Sequence, residues 1–323
     1  AGISSGTARV FLRTGSAWAI EGTLTPAAAM AGDRFGAAIA LSDDGSRALI
    51  GAPGANSVVG ADTGTATIYA RSGAVWTREA TLAATASETS SSVGSAVALS
   101  SDASRAVVGA FDDDTAGVGG GAGMAAVYLR SGTTWSQEAT LLASGAALTD
   151  YFGRSVAMSG DGTRVLVGAN RDDTTVGVDG GSARFFVRTG TVWTEDLSLV
   201  PTAGEGFDQF GWAAALSSDG TRAIVGAAND DAGTIVDGGS ARVWRITAGL
   251  VNGATCTIDG PINVPDLDVY EFSNGNKGGD EPDSLIMGPM AWIQVCTDKN
   301  YGGDTACFYP DQRISDLDDY GVG

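Results

Sequence analysis

Trp18, Trp76, Trp135 and Trp193 recur at steps of 58, 59 and 58 residues. Each sits in a matching phrase: RTGSAWAIEGTL, RSGAVWTREATL, RSGTTWSQEATL and RTGTVWTEDLSL. Phe35-Gly36, Val93-Gly94, Phe152-Gly153 and Phe210-Gly211 recur at the same steps, and each opens a run of small residues (AAIALS, SAVALS, RSVAMS, WAAALS). A polar turn and a second apolar run follow: SRALIGAP, SRAVVGAF, TRVLVGAN and TRAIVGAA. A chain repeating at this length buries its hydrophobic faces between copies, because one unit alone cannot close a core.

The alternation within each unit has period two, which predicts strands and no helix of any length. The first strand follows Phe-Gly, and a Ser-x-Asp-Gly turn, as at Ser42 to Gly45, leads to the second. A long Asp/Gly loop leads to the third (TATIYARS, MAAVYLRS, SARFFVRT, SARVWRIT), and a Ser/Thr-Gly turn to the Trp-bearing fourth. Four-stranded units in tandem predict an all-β chain, a β-propeller whose blades pack face to face. The crowded innermost strand accounts for the Ala and Ser of AAIALS, and the tryptophans are expected to fill space between the wider outer strands. With 48 Gly and 8 Pro, the composition suits many tight turns. Four full units follow an N-terminal half-blade (ARVFLRT, AWAIEGTL). If residues 251 to 270 supply two strands, a five-bladed ring closes; otherwise the array keeps open edges.

The phrase Phe-Gly-x-x-(Val/Ile/Ala)-Ala-(Leu/Met)-Ser, followed by (Val/Ile)-Gly-Ala, resembles the FG-GAP repeat of integrin α-subunit propellers. The likeness covers roughly residues 5 to 250, with the second unit departing at Val93 and Ala103. Residues 251–265 read as a linker or closing strand. Residues 266–323 resemble a βγ-crystallin Greek-key motif, carried by WIQVCTDKNYGGDTACFYPDQRISDLDDYGVG. The cysteines are Cys256, Cys296 and Cys307. Cys296 and Cys307 flank the Asn-Tyr-Gly-Gly hairpin and are expected to face each other as a disulfide, which suits an oxidising compartment and leaves Cys256 unpaired.

The net charge of −19 argues against a nucleic-acid partner, and no apolar run reaches the ~18 residues of a membrane-spanning helix. The chain has no histidine, which removes histidine-based triads and histidine metal sites. Gly2-Ile3-Ser4-Ser5-Gly6 spells Gly-x-Ser-x-Gly without a base or a strand-to-helix setting, and Gly117-Val118-Gly119 lies in a repeat loop with no helix after it. The expectation is a chain that is not an enzyme.

Calcium is the expected ligand, because it takes several oxygen donors from flexible loops. The strand-one-to-two turns are too short to wrap an ion as the integrin family does. Candidate ligands lie instead in the strand-two-to-three loops: Asp112, Asp113 and Asp114; Asp172, Asp173 and Asp179; Asp230, Asp231 and Asp237. They are expected to form one acidic face with Asp33, Asp150 and Asp208. In the crystallin-like part, Asp280, Asp283 and Ser284 stand where that family's calcium signature belongs. The resemblance implies a secreted or cell-surface binding or adhesion module facing a protein or glycan. The alternative is a structural subunit that assembles with copies of itself through open blade edges.

Overall fold

The computed structural model describes residues 3–246, except 59, 86–89, 115, 116, 118, 202, 203 and 232–235, and beyond them the backbone of four short strands. The chain divides into two units, Ala1–Thr257 and Ile258–Gly323.

The first unit consists of antiparallel sheets, with no helix among the described residues. β1 (Ala8–Thr14) pairs with β2 (Ala17–Leu24). The first four-stranded sheet follows in chain order, with β3 (Ile39–Leu41), β4 (Arg47–Ala52), β5 (Thr65–Ser72) and β6 (Val75–Leu82). The second holds β7 (Ala96–Leu99), β8 (Arg105–Ala110), β9 (Met124–Ser131) and β10 (Thr134–Leu141). The third holds β11 (Phe152–Met158), β12 (Arg164–Ala169), β13 (Ser182–Thr189) and β14 (Val192–Leu199). β15 (Phe210–Leu216), β16 (Arg222–Ala227) and β17 (Ser240–Arg245) make the last described sheet. The arrangement is propeller-like, and the strands of the first three four-stranded sheets fall where the repeat places them; a fourth strand for the last sheet lies outside the described residues.

Local chemistry fixes each hairpin. In the turn between β3 and β4, Asp44 Oδ1 accepts from the Ser42 hydroxyl at 2.7 Å and from the Ser46 amide at 2.8 Å. The Arg47 amide donates to Ser42 Oγ at 3.0 Å. Ser100 with Asp102, Ser159 with Asp161, and Ser217 with Asp219 repeat the pattern. These aspartates build turns, as Asx side chains do. The Ser42 hydroxyl bond, joined by that of the Ser46 amide, holds Asp44 down at about 2.

The sheets stack through four apolar junctions. Leu24, Phe35, Ile50 and Tyr69 fill the first; Leu49, Ile68, Val93, Val108, Met124 and Tyr128 the second. Val107, Phe152, Val165 and Phe186 fill the third, and Leu166, Phe185, Phe210 and Val225 the fourth. The marker residues Phe35, Val93, Phe152 and Phe210 are all buried, each where its sheet meets the preceding one. The stack is tight enough to dictate glycine. A Cβ on Gly51 would stand 1.9 Å from the Gly94 carbonyl oxygen, and one on Gly168 2.1 Å from that of Gly211.

A polar staple reinforces the outer rim. Glu21, Glu79 and Glu138 are each skipped by the strand register and occupy a bulge. A bulge re-aims one side chain, and here the carboxylate accepts from the tryptophan of the next sheet. Trp76 Nε1 donates to Glu21 at 3.0 Å, Trp135 to Glu79 at 2.8 Å and Trp193 to Glu138 at 3.1 Å. Arg188 Nη2 also binds Glu138 at 2.6 Å, and Arg105 Nε at 3.2 Å. Trp76, Trp135 and Trp193 pack against the junction cores as expected. Trp18 departs from that expectation. No described sheet precedes β2, and the ring is 66 % exposed.

In the second unit, β18 (Leu285–Ile286) pairs with β21 (Arg313–Ile314), and β19 (Ile293–Cys296) with β20 (Thr305–Phe308). The register sets Cys296 opposite Thr305 and Cys307 opposite Gln294. The disulfide expected between the two cysteines depends on side chains outside the described residues. Cys256, Asp280, Asp283 and Ser284 lie outside the described residues, as does most of the crystallin-like stretch.

Candidate functional site

Phe-Gly, or Val93-Gly94 in the second unit, forms the centre of a tight turn in each of the four sheets. The Ala37 amide donates to the Arg34 carbonyl at 3.0 Å, Ser95 to Ser92 at 3.1 Å, Arg154 to Tyr151 at 3.1 Å and Trp212 to Gln209 at 3.2 Å. Gly36, Gly94, Gly153 and Gly211 have φ of 93°, 91°, 94° and 96°, the left-handed third position of a type II turn. The first turn residue is itself left-handed at Arg34, Ser92, Tyr151 and Gln209, with φ of 55°, 59°, 58° and 57°. This conformation is costly for residues with a Cβ and persists only where surroundings impose it. The turn sends its apolar residue into the junction and holds its two flanking residues at the mouth of the stack.

Four sheets contribute to that mouth. A cavity of about 380 Å³ is lined by Arg34, Phe111, Tyr151, Arg154, Asn170, Arg171 and Trp212, with Ala37, Pro53 and Ser95. The Arg154 guanidinium lies 4.2 Å from the Trp212 ring centre and 5.6 Å from that of Phe111. Arg171 lies 4.9 Å from the Tyr151 ring, and Phe111 meets Tyr151 edge-on at 5.3 Å. Burial lowers the Arg154 pKa, since charge is harder to hold there. Among the described residues, none of these three arginines forms an ion pair, whereas Arg47, Arg71, Arg105, Arg184 and Arg188 all do. Asn170 is 1 % exposed and its Oδ1 has no hydrogen-bond partner.

The acidic residues lie at the same end, in pairs with separate tasks. The Arg171 amide donates to the Asp150 carbonyl and the Asn229 amide to that of Asp208, which ties each loop to the entry of its own sheet. Asp33, Asp150 and Asp208 are buried, not part of a solvated rim. Each caps its own approach loop, accepting from the amides of Met30 at 2.7 Å, Ala147 at 2.6 Å and Glu205 at 2.6 Å. Asp114, Asp173 and Asp231 close the long loops by accepting from the amides of Gly121, Asp179 and Asp237, each at 2.9 Å. Asp172 accepts from Ser182 at 2.5 Å and from Arg184 at 2.7 Å, and Asp230 from Ser240. Asp112 accepts from Ser92 at 3.2 Å. Asp113 is buried.

Burial, with Asp172 and Asp173 nearby, raises Asp150 to about 6. Burial likewise raises Asp208 beside Asp230 and Asp231, and Asp112 beside Asp114. Among the described residues no three carboxylate or cysteine side chains gather in a form that would hold a metal ion. Several of these carboxylates already accept from loop amides, hydroxyls or Arg184.

Sequence reasoning missed the arginine–aromatic mouth. The available signal was the residue after Phe-Gly, which changes from Ala37 to Ser95, Arg154 and Trp212 while the flanking register stays fixed.

Residues 18–69, 135–186 and 193–243 match the family model described as FG-GAP repeat. The unmatched unit between them carries Val93 and Ala103 and still builds the same four-stranded sheet. No curated protein matches the chain. Among solved structures, Kuenenia stuttgartiensis Hydrazine Synthase is similar over 64 % of this chain and 45 % of its own, at 15 % identity and a TM-score of 0.40. The chain thus spans less than half the length of that structure. Among the described residues no helix is long and apolar enough to cross a membrane. Three segments of the chain thus match the FG-GAP repeat.

Proposed function

We propose that this chain is a non-catalytic extracellular binding module whose ligand is a saccharide taken at the loop end of the sheet stack. The observation that supports it most is the mouth itself. Four sheets converge on a concave site where aromatic rings sit beside Arg154 and Arg171, which form no ion pair among the described residues. Concave sites with aromatic walls and a few polar groups are where ligands bind, and the FG-GAP repeats agree with an extracellular setting. A glycan array probed with the full chain and with Ala37→Trp tests this. The equivalent turn position already carries Trp212, so the turn accepts the larger residue while the cavity is filled. Glycan binding that disappears in the variant supports the reading. Binding that survives filling, or an array on which nothing binds, contradicts it.

One observation favours a second reading, assembly through blade edges. Gly226 corresponds to Gly51 and Gly168, yet among the described residues the nearest atom to a Cβ there is 3.8 Å away. An open groove of about 470 Å³ lies over it, lined by Trp212, Ala213, Gly226, Gly239 and Ala241. At the other junctions this place receives the Phe-Gly turn of the next sheet. Sedimentation separates the readings: ordered polymers that dissociate on dilution favour assembly, and a monomer at all concentrations opposes it.

A further inference from the structure

The mouth combines three features that together define a ligand chemistry. First, Arg34, Arg154 and Arg171 bring three guanidiniums to one cavity in a chain whose net charge is −19. The charged group near Arg34 is Asp112; Arg154 and Arg171 rest on aromatic rings and not on carboxylates. A half-buried guanidinium without a counter-charge is short of an anion, and its planar fork fits carboxylate or sulfate oxygens two at a time.

Second, Asn170 lines the cavity, is almost wholly buried, and has a side-chain oxygen without a partner. An unmet buried acceptor costs about 1–3 kcal/mol, and a hydroxyl donor that reaches it recovers that cost. The amide torsion of Asn is broad, so a modest rotation offers the oxygen to the cavity. Third, Trp212 is 42 % exposed while Arg154 covers part of it. That leaves aromatic surface for the apolar face of a sugar ring.

A fully deprotonated anion such as sulfate would use the arginines but has no donor for Asn170, hydrogen phosphate has a donor but no apolar face for Trp212, and a neutral sugar would leave the guanidiniums unmatched. We propose that the mouth binds an acidic saccharide, its anionic group seated among Arg34, Arg154 and Arg171, a hydroxyl donated to Asn170, and its ring against Trp212. This rests on the binding-module reading and narrows it to one class of sugar. The anionic group can be the carboxylate of a uronic acid or a sulfate ester, which share the chemistry read by the arginines.

The test is calorimetric titration of the full chain with three probes of equal length: an oligogalacturonate, a sulfated galactan oligomer and the neutral galactan. At least one acidic probe is expected to bind tenfold or more tightly than the neutral one, and the stronger of the two identifies the group. Arg154→Ala and Arg171→Ala are each expected to weaken that probe at least tenfold, and Asn170→Ala to weaken it less. Thermal midpoints check folding; if Arg154→Ala does not fold, the exposed-side change Arg34→Ala replaces it. Equal binding of neutral and acidic probes, lost in Ala37→Trp, overturns the acidic assignment and leaves the binding module intact. Acidic binding unchanged in all arginine variants overturns the assignment of this mouth. Absence of binding by all three probes also overturns the inference, and the array with Ala37→Trp then decides the broader reading by itself.

Discussion

Gly45 has a φ of 66° and nothing within 4 Å of where its Cβ would stand, so the residue is there for its backbone alone. Ala103 takes the equivalent place with a φ of 50° and bears the strain natively. Left-handed backbone costs a residue with a Cβ roughly 1–2 kcal/mol. Gly45→Ala is therefore expected to lower stability by about 1 kcal/mol in urea denaturation; an unchanged midpoint would contradict the turn assignment.

Asp150 and Asp44 respond to pH in opposite directions. Asp44 lies near 2, so its contribution is present above the ordinary carboxylate range and fades as pH falls through about 2. Asp150 lies near 6 because it is buried, so between about 4 and 6 the folded protein holds a proton that the unfolded chain has released. Its acid form contributes fully below about pH 4, and that contribution is lost as pH rises through 6. Asp150→Asn keeps an oxygen for the Ala147 amide and is expected to gain on the order of 2 kcal/mol at pH 7 and little at pH 4. Denaturation at the two pH values checks this, and an equal effect at both would exclude the burial account.

Within elements, the tightest polar feature is the bulge glutamate. Glu138 takes an indole and two guanidiniums with only 7 % of its side chain exposed. Burial alone would raise its pKa; the bonds from Arg188, Trp193 and Arg105 outweigh that and lower it. Glu138→Ala leaves those charges facing a gap, and a loss of about 3 kcal/mol is expected. Because Glu138 and Trp193 share one bond, their double variant is expected to lose less than the sum of the singles. Simple additivity in chemical denaturation would show that the staple is not coupled.

The junction glycines give an internal comparison. Gly168→Ala drives a methyl into the Gly211 carbonyl and is expected to cost about 3 kcal/mol or prevent folding, while Gly226→Ala meets only ordinary contacts among the described residues and costs little. Similar midpoints for the two variants would mean that the sheets are not stacked as described.

For the molecule as a whole, the repeat was legible because its markers recur where packing repeats. Phe35, Val93, Phe152 and Phe210 are buried at successive junctions, and the period-two runs became strands. Even Val93 and Ala103 did not break their sheet, since Val is still apolar and Ala still fits the turn. What the sequence did not reveal depends on positions that differ between copies. Phe111, Tyr151, Arg154, Asn170 and Trp212 come from three sheets and stand as far as 101 residues apart, and only stacking brings them to one mouth. The aspartates were visible as a class, but their loop-closing bonds were not, because composition does not say which amide a carboxylate meets. The Trp-x-x-Glu spacing stood in three of the four phrases, and its meaning needed the bulge and the neighbouring sheet.

An experimental density map of the full chain tests the central claim most directly. The account predicts Phe35, Val93, Phe152 and Phe210 in equivalent junctions, with Arg34, Arg154, Arg171 and Trp212 around a single opening at the loop end. A map that places these arginines on separate surfaces, or the four markers in non-equivalent settings, would contradict it.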